Sequence, residues 1–168
     1  MKPDINLPPV LFGGTGYDSA NQDMPDSLPE KYEMGTSNIA GIAGLNAALQ
    51  WNQKIGIQNI FEHEQKNRKK LLEILSQYDF ITIVGNASAQ QYVGIVSCLF
   101  DGISSDIAGS LLSEHGVSVR TGLQCAPLAH KFLGTYPAGT IRFSVGHFTS
   151  EEDYNALTNA LDYIDQNI

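Results

Sequence analysis

The loop from Arg120 to Leu128 contains the side chain with the clearest chemical potential, Cys125, among glycine and proline residues. The thiolate is the reactive form of cysteine, and it is favoured beside a cation or a helix amino terminus. Arg120 precedes the cysteine in the same loop, and Ala126-Pro127 could open a short helix. The residue types therefore favour a nucleophilic thiol, with an inert loop cysteine as the alternative.

Arg142 is the only charge in the alternating segment Thr140–Val145, which predicts a strand. Its guanidinium should lie on the face opposite the apolar residues, where it could bind a carboxylate or phosphate, or simply face solvent. Cys98 lies within an apolar strand segment and is expected to be a small buried side chain. We expect both cysteines to be free thiols, because nothing indicates an oxidising compartment.

Hydrophobic patterning predicts the elements that must position these side chains. The pattern after Gly56 indicates alternating helices and strands, and this order predicts an α+β fold with a mostly antiparallel sheet. The predicted elements are a helix at 57–78, strands at 81–84 (closed by Gly85-Asn86) and 93–100, a helix from Ser104 to His115, a short strand at 117–120, a loop at 121–138 with one helical turn, a strand at 140–145, and a helix opened by Ser150–Asp153.

The amino-terminal part of the sequence is less regular. Residues 1–33 are rich in proline, and only Val10–Phe12 is a strand candidate. From Ile39 an uncharged stretch predicts a helix buried nearly all round, capped by Thr36–Asn38. Gly41 and Gly44 within it are expected to allow close approach of a neighbouring backbone.

Composition limits the possible functions. The chain has 168 residues and a net charge of −8, which argues against a nucleic-acid partner. No apolar window long enough for a membrane span and no signal peptide is recognisable, so we expect a cytoplasmic protein. The histidines and cysteines lack metal-ligand spacing, and no metal site is expected. Charged residues make up only 17% of the chain, which suggests surface normally covered by another chain or domain.

A set of short motifs along the whole chain resembles cysteine desulfurases and selenocysteine lyases, which are pyridoxal-phosphate (PLP) enzymes of the class V aminotransferase group with the type I fold. The motifs are Gly13–Gly16, Met24-Pro25, Tyr32–Asn38, Ala40–Leu45, His63-Glu64, Val119–Pro127 and Ile141–Phe148. The resemblance implies the small C-terminal domain of a type I PLP-dependent transferase, an antiparallel sheet packed with helices and preceded by a long linking helix. Residues 1–38 would be a remnant of the large PLP-binding domain, 39–56 the linking helix, and 57–168 the small domain.

The resemblance also implies roles for particular residues. Cys125 would attack the sulfur of L-cysteine, release alanine and become a persulfide in sulfur metabolism. Selenocysteine would be the alternative substrate. Arg142 would bind the substrate carboxylate, and Arg120 would orient the cysteine or the substrate. Gly35 and Thr36 would bind the cofactor phosphate, with Thr36 reaching across a homodimer. A sulfur-acceptor protein would be a further partner.

One departure from the family pattern concerns the lysine that binds the cofactor covalently. The family places it in a Ser/Thr-x-His-Lys context, which does not occur here, and His130-Lys131 has the wrong neighbours. We therefore expect the chain to be inactive alone unless the missing large domain or a separate N-terminal chain supplies the lysine. The alternatives are a non-catalytic binding, scaffold or persulfide-carrier module, or another class V aminotransferase or lyase.

Overall fold

The computed structural model describes residues 6–18, 20–85 and 92–168. The chain divides into two compact units, with the boundary between Lys54 and Ile55. Asn86, in the turn predicted after the first strand, lies outside the described residues. No helix in the described part of the chain is long and apolar enough to cross a membrane.

The first unit has little regular structure before its helix. A 3-10 turn spans Glu30–Tyr32, and the Tyr32 hydroxyl donates to the Leu7 carbonyl oxygen at 2.7 Å. The prediction of a strand at Val10–Phe12 is wrong. The chain bends at Val10 and Leu11, and none of the three residues pairs with another strand in the described part of the chain. All three side chains are exposed. A lone apolar triplet cannot form a strand without a neighbour to accept its backbone hydrogen bonds.

Helix α1 spans Ile39–Ile55 and begins at the predicted residue. Most of its side chains are exposed, although the sequence predicted burial. The Asn38 side chain accepts a hydrogen bond from the Gly41 amide at 2.9 Å, which is an N-cap. None of the residues of α1 is buried, so the prediction of a helix buried nearly all round is wrong for this chain. Gly41 makes room for the Asn38 side chain rather than for a neighbouring backbone, and no described atom lies within 4 Å of the Cβ position of Gly44.

The second unit is an α+β fold, as predicted. It contains a three-stranded antiparallel sheet in the order β1-β2-β3. The elements are α2 Ile57–Leu75, β1 Ile81–Val84, β2 Ile95–Phe100, α3 Ser105–Glu114, α4 Pro127–Leu133, β3 Ile141–Ser144 and α5 Glu151–Asp165.

Helices α2, α3 and α5 contribute the core that covers one face of this sheet. Alternation along β2 and β3 buries Cys98 and Ile141 completely, together with Leu75, Leu112 and Leu161 from the helices. The next residues along each strand face the other way and are less buried. The sheet therefore has an apolar core face and an opposite, less buried face of mixed polarity.

The helix that precedes the reactive loop is fixed at both ends. Ser104 caps α3 by accepting a hydrogen bond from the Ile107 amide at 3.3 Å. After α3 the Val117 amide donates back to the Leu112 carbonyl oxygen at 2.9 Å, so the chain stays close to the helix end. The prediction of a strand at 117–120 is therefore wrong, because of these four residues only Arg120 pairs with the sheet.

Candidate functional site

Arg120 and Arg142 are directly opposite each other at the edge of the sheet. The Arg120 amide donates to the Arg142 carbonyl oxygen at 3.1 Å, and the Arg142 amide donates to the Arg120 carbonyl oxygen at 2.7 Å. Residues paired in this way place their side chains on the same face. Because Ile141 and Phe143 occupy the core face, both arginine side chains start from the opposite face.

Cys125 is held beside the first of these arginines. The Arg120 Nη2 atom lies 3.0 Å from the Cys125 Sγ atom, and the cysteine is exposed. A guanidinium at this distance places positive charge next to the atom that bears the negative charge of a thiolate. The predicted short helix forms immediately afterwards as α4, with Pro127 at its start. The structure thus places the Arg120 guanidinium against Cys125 Sγ and pairs the Arg120 backbone with that of Arg142.

A close backbone crossing fixes the base of the Cys125 loop. Thr140 donates its amide to the Gly122 carbonyl oxygen at 3.1 Å. Gly139 has a φ of +76°, and a Cβ there would lie 2.6 Å from the Gly122 Cα. The loop and the residues leading into β3 can approach this closely only because position 139 is glycine.

The Arg142 guanidinium is partly withdrawn from solvent. Its Nε atom is buried and has no hydrogen-bond partner among the described residues. A buried donor of this kind loses its hydration without compensation unless an acceptor binds to it. A carboxylate is the acceptor whose geometry fits a guanidinium best.

The two cysteines have opposite environments, and both are free thiols, as expected. Cys98 is fully buried on the core face of β2. Burial raises the pKa of the Cys98 thiol to about 12, because the apolar core disfavours the charged form. Cys98 is therefore a packing residue, whereas Cys125 is accessible to a reactant.

Gly35 and Thr36, the residues expected to bind a phosphate, lie in the first unit. Gly35 has a φ of +75°, and its amide donates to the Gly14 carbonyl oxygen at 2.7 Å. Thr36 is exposed. The hydrogen bond joins two of the glycine-containing motifs that carry the family resemblance into one local structure.

Sequence reasoning missed two residues that shape the reactive loop. Gln124 donates hydrogen bonds from its side-chain amide to backbone carbonyl groups of the loop and of Thr140. Thr121 donates its hydroxyl proton to Asp106 Oδ1 at 3.0 Å, which ties the loop to α3. The Gln124–Thr140 and Thr121–Asp106 contacts have no local pattern in the sequence, because they join segments 16 and 15 residues apart.

Comparison with known proteins shows the class to which this fold and site belong. The family model of class-V aminotransferases matches residues 2–157, so the chain belongs to that family. Within the family, the curated proteins that it resembles are cysteine desulfurases. A probable cysteine desulfurase of Methanothermobacter thermautotrophicus is 32% identical over 162 residues, covering 94% of this chain and 40% of that protein.

Solved structures agree with this assignment. The apo cysteine desulfurase of Thermococcus onnurineus NA1 superposes with a TM-score of 0.75 at 27% identity, covering 95% of this chain and 40% of that one. The cysteine desulfurase CsdA of Escherichia coli, in an S-sulfonic acid form, gives a TM-score of 0.72 at 27% identity, with coverage of 93% and 38%. The chain thus spans about 40% of the length of these relatives, in their carboxy-terminal part.

PLP is the cofactor that this family implies, and the residues present fit only part of it. The buried Nε of Arg142 suits the carboxylate of an amino-acid substrate, and the Gly35-Thr36 turn offers a hydroxyl for a phosphate. None of the lysines of the chain has the Ser/Thr-x-His-Lys context of the covalent attachment site. Arg142 therefore suits a substrate carboxylate, and the Gly35-Thr36 turn suits a phosphate group. No lysine of this chain has the sequence context needed to attach the cofactor covalently.

Proposed function

We propose that this chain is the cysteine-bearing part of a PLP-dependent cysteine desulfurase, which converts L-cysteine to L-alanine and leaves sulfur on Cys125. The observation that carries the proposal is the 3.0 Å contact between Arg120 and the exposed Cys125 Sγ, with Arg142 paired to Arg120. Membership of the class-V family and similarity to cysteine desulfurases support it.

Each of these residues has a chemical role in the proposal. Arg142 binds the substrate carboxylate and thereby orients the substrate sulfur towards Cys125. Arg120 stabilises negative charge on Cys125 Sγ before attack. A bond forms between Cys125 Sγ and the substrate sulfur as the substrate carbon–sulfur bond breaks, the electron pair passes to carbon, and a proton completes alanine. PLP, when bound, supplies the electron-withdrawing group that this cleavage requires.

The cofactor, its lysine and the oligomer belong to the same proposal. Gly35 and Thr36 would hold the cofactor phosphate, with Thr36 reaching across a homodimer, and the lysine would come from a large domain or a separate chain. A sulfur-acceptor protein then removes the persulfide sulfur from Cys125. The exposed position of Cys125 on a loop supports such a transfer between proteins.

The test traces sulfur on Cys125 itself. The chain is combined with a polypeptide that carries the family's lysine segment, PLP and L-cysteine, and the Cys125 peptide is analysed by mass spectrometry. We expect one additional sulfur atom on Cys125 and one alanine released per sulfur. Cys125→Ser should abolish both, whereas Cys98→Ser is the matched control and should retain both.

Arg142 provides a second, graded readout. Replacing Arg142 with Lys removes the two-pronged contact and keeps the charge, so KM for L-cysteine should rise by a factor of about 10 to 100. An unchanged KM would refute the assigned role of Arg142. If wild-type Cys125 never acquires sulfur while binding to a partner protein persists in Cys125→Ser, the chain is a scaffold module instead.

A further inference from the structure

We propose that Gln124 is the positioning residue that holds Cys125 against Arg120. The Gln124 Nε2 atom donates to the Arg120 carbonyl oxygen at 3.1 Å and lies 3.4 Å from the carbonyl oxygens of Gly122 and Thr140. The side chain of the residue next to the reactive cysteine thus joins both ends of its own loop to the residues leading into β3. The inference rests on the proposed function only in taking Cys125 as the reactive group.

The backbone conformation of Gln124 and Cys125 explains why the hydrogen bonds of the Gln124 side chain are needed. Gln124 and Cys125 have φ values of +52° and +61°, and they are the only residues other than glycine with positive φ in the described part of the chain. The left-handed region is unfavourable for residues with a Cβ, and two in succession persist only where surrounding contacts impose them. The Gln124 amide provides contacts of this kind, because it bridges segments on both sides of the strained pair.

The orientation of the amide group is determined by its surroundings. Three carbonyl oxygens surround Nε2, so the donor end of the amide must face them. The other end, Oε1, is buried without a hydrogen-bond partner among the described residues. This unpaired acceptor is energetically unfavourable, so the contacts of Nε2 must offset its cost for the side chain to keep this orientation.

The Arg120 carbonyl group connects the Gln124 hydrogen bonds to both arginines. The Arg120 carbonyl oxygen accepts from the Gln124 side chain and from the Arg142 amide. Gln124 therefore braces the backbone from which the Arg120 side chain extends, as well as the backbone of the cysteine that this side chain contacts. Loss of the tie should separate the guanidinium from Sγ without removing either group.

The test measures the charge next to Sγ. The 168-residue chain is alkylated with iodoacetate, which is anionic, and with iodoacetamide, which is neutral, and the ratio of the two rate constants is compared between variants. Cys98 is fully buried, so it should not react in the folded protein, and mass spectrometry assigns the alkylation signal to Cys125. A nearby guanidinium should favour the anionic reagent by a factor of about five, the effect of one unit charge at close range in water.

Three variants decide the question. Arg120→Gln should lower the iodoacetate preference about fivefold. Gln124→Met keeps the side-chain length and removes the donor, and it should lower the preference by a similar factor. The preference of the double variant should fall no further than that of either single variant. Gln124→Gly serves if the methionine variant does not fold, because it removes the tie while relieving the positive φ. A wild-type ratio in folded Gln124→Met or Gln124→Gly, or additive losses in the double variant, would overturn the proposal. Sulfur transfer to Cys125 is measured separately, so failure of the proposed function would be recognised independently.

Discussion

Replacing Gly139 with alanine should destabilise the second unit and displace the reactive loop. An alanine at a φ of +76° costs about 1–2 kcal/mol from the left-handed backbone alone. The new Cβ would also lie 2.6 Å from Gly122 Cα, against backbone that cannot rotate away. Overpacking of this kind costs about 1–3 kcal/mol, so the free energy of unfolding should fall by about 2–5 kcal/mol in total.

Gly134 is the matched control for this substitution. It has a φ of +73°, yet no described atom lies within 4 Å of its Cβ position. Gly134→Ala should therefore show only the backbone cost of about 1–2 kcal/mol. Urea unfolding followed by circular dichroism measures both variants, and the difference between them isolates the crossing with Gly122.

The same variants connect stability to the site. In Gly139→Ala the displaced Gly122 segment should carry Cys125 away from Arg120, so the preference for iodoacetate over iodoacetamide should fall. Gly134→Ala should keep the wild-type preference. Equal destabilisation by the two substitutions, or an unchanged reagent preference in Gly139→Ala, would refute the view that this crossing positions the cysteine.

Three further predictions concern the scaffold. Burial is the largest cause of the raised pKa of Tyr78, and the hydrogen bond to Asp162 at 2.7 Å is the next. The stabilising contribution of Tyr78 is therefore present below its usual pKa of 10.0 and declines as the pH rises further. Tyr78→Phe should lose less stability than wild type between pH 9 and 11 in urea titrations, and an equal loss would contradict this. Ser150 forms a capping box with Asp153 at the start of α5, so Ser150→Ala should lower the free energy of unfolding by about 1 kcal/mol, whereas no change in the urea midpoint would exclude the cap. Cys98 should react with iodoacetamide only after denaturation, and labelling of Cys98 in the folded chain by mass spectrometry would show that the core is open.

Local pattern in the sequence was sufficient for most of the second unit. Alternation along 140–145 correctly predicted that Ile141 and Phe143 are buried and that Arg142 lies on the opposite face. The apolar strand segment around Cys98 correctly predicted that this cysteine is buried. Capping residues such as Ser104 and Ser150 located helix starts to within a residue. These features depend on neighbours a few positions away, which a sequence displays directly.

The predictions that failed depended on distant neighbours. An apolar triplet at Val10–Phe12 and an uncharged helix from Ile39 look like buried elements, but burial requires a covering surface, and none of the residues of α1 is buried in this chain. Residues 117–119 have strand-like composition, yet the Val117 amide is already bonded to Leu112.

Sequence by itself determined that Cys125 lies in a loop marked by Gly122 and Pro127, between an arginine and a short helix, and that Arg142 lies on the face opposite Ile141 and Phe143. Only the tertiary structure decided that the Arg120 guanidinium contacts Sγ, that Arg142 pairs with Arg120, and that Gln124 and Gly139 hold the loop. The physical reason is that these contacts form where the loop crosses the residues leading into β3. Crossings of this kind are set by packing between segments that are 16 residues apart or more, and no local periodicity records them.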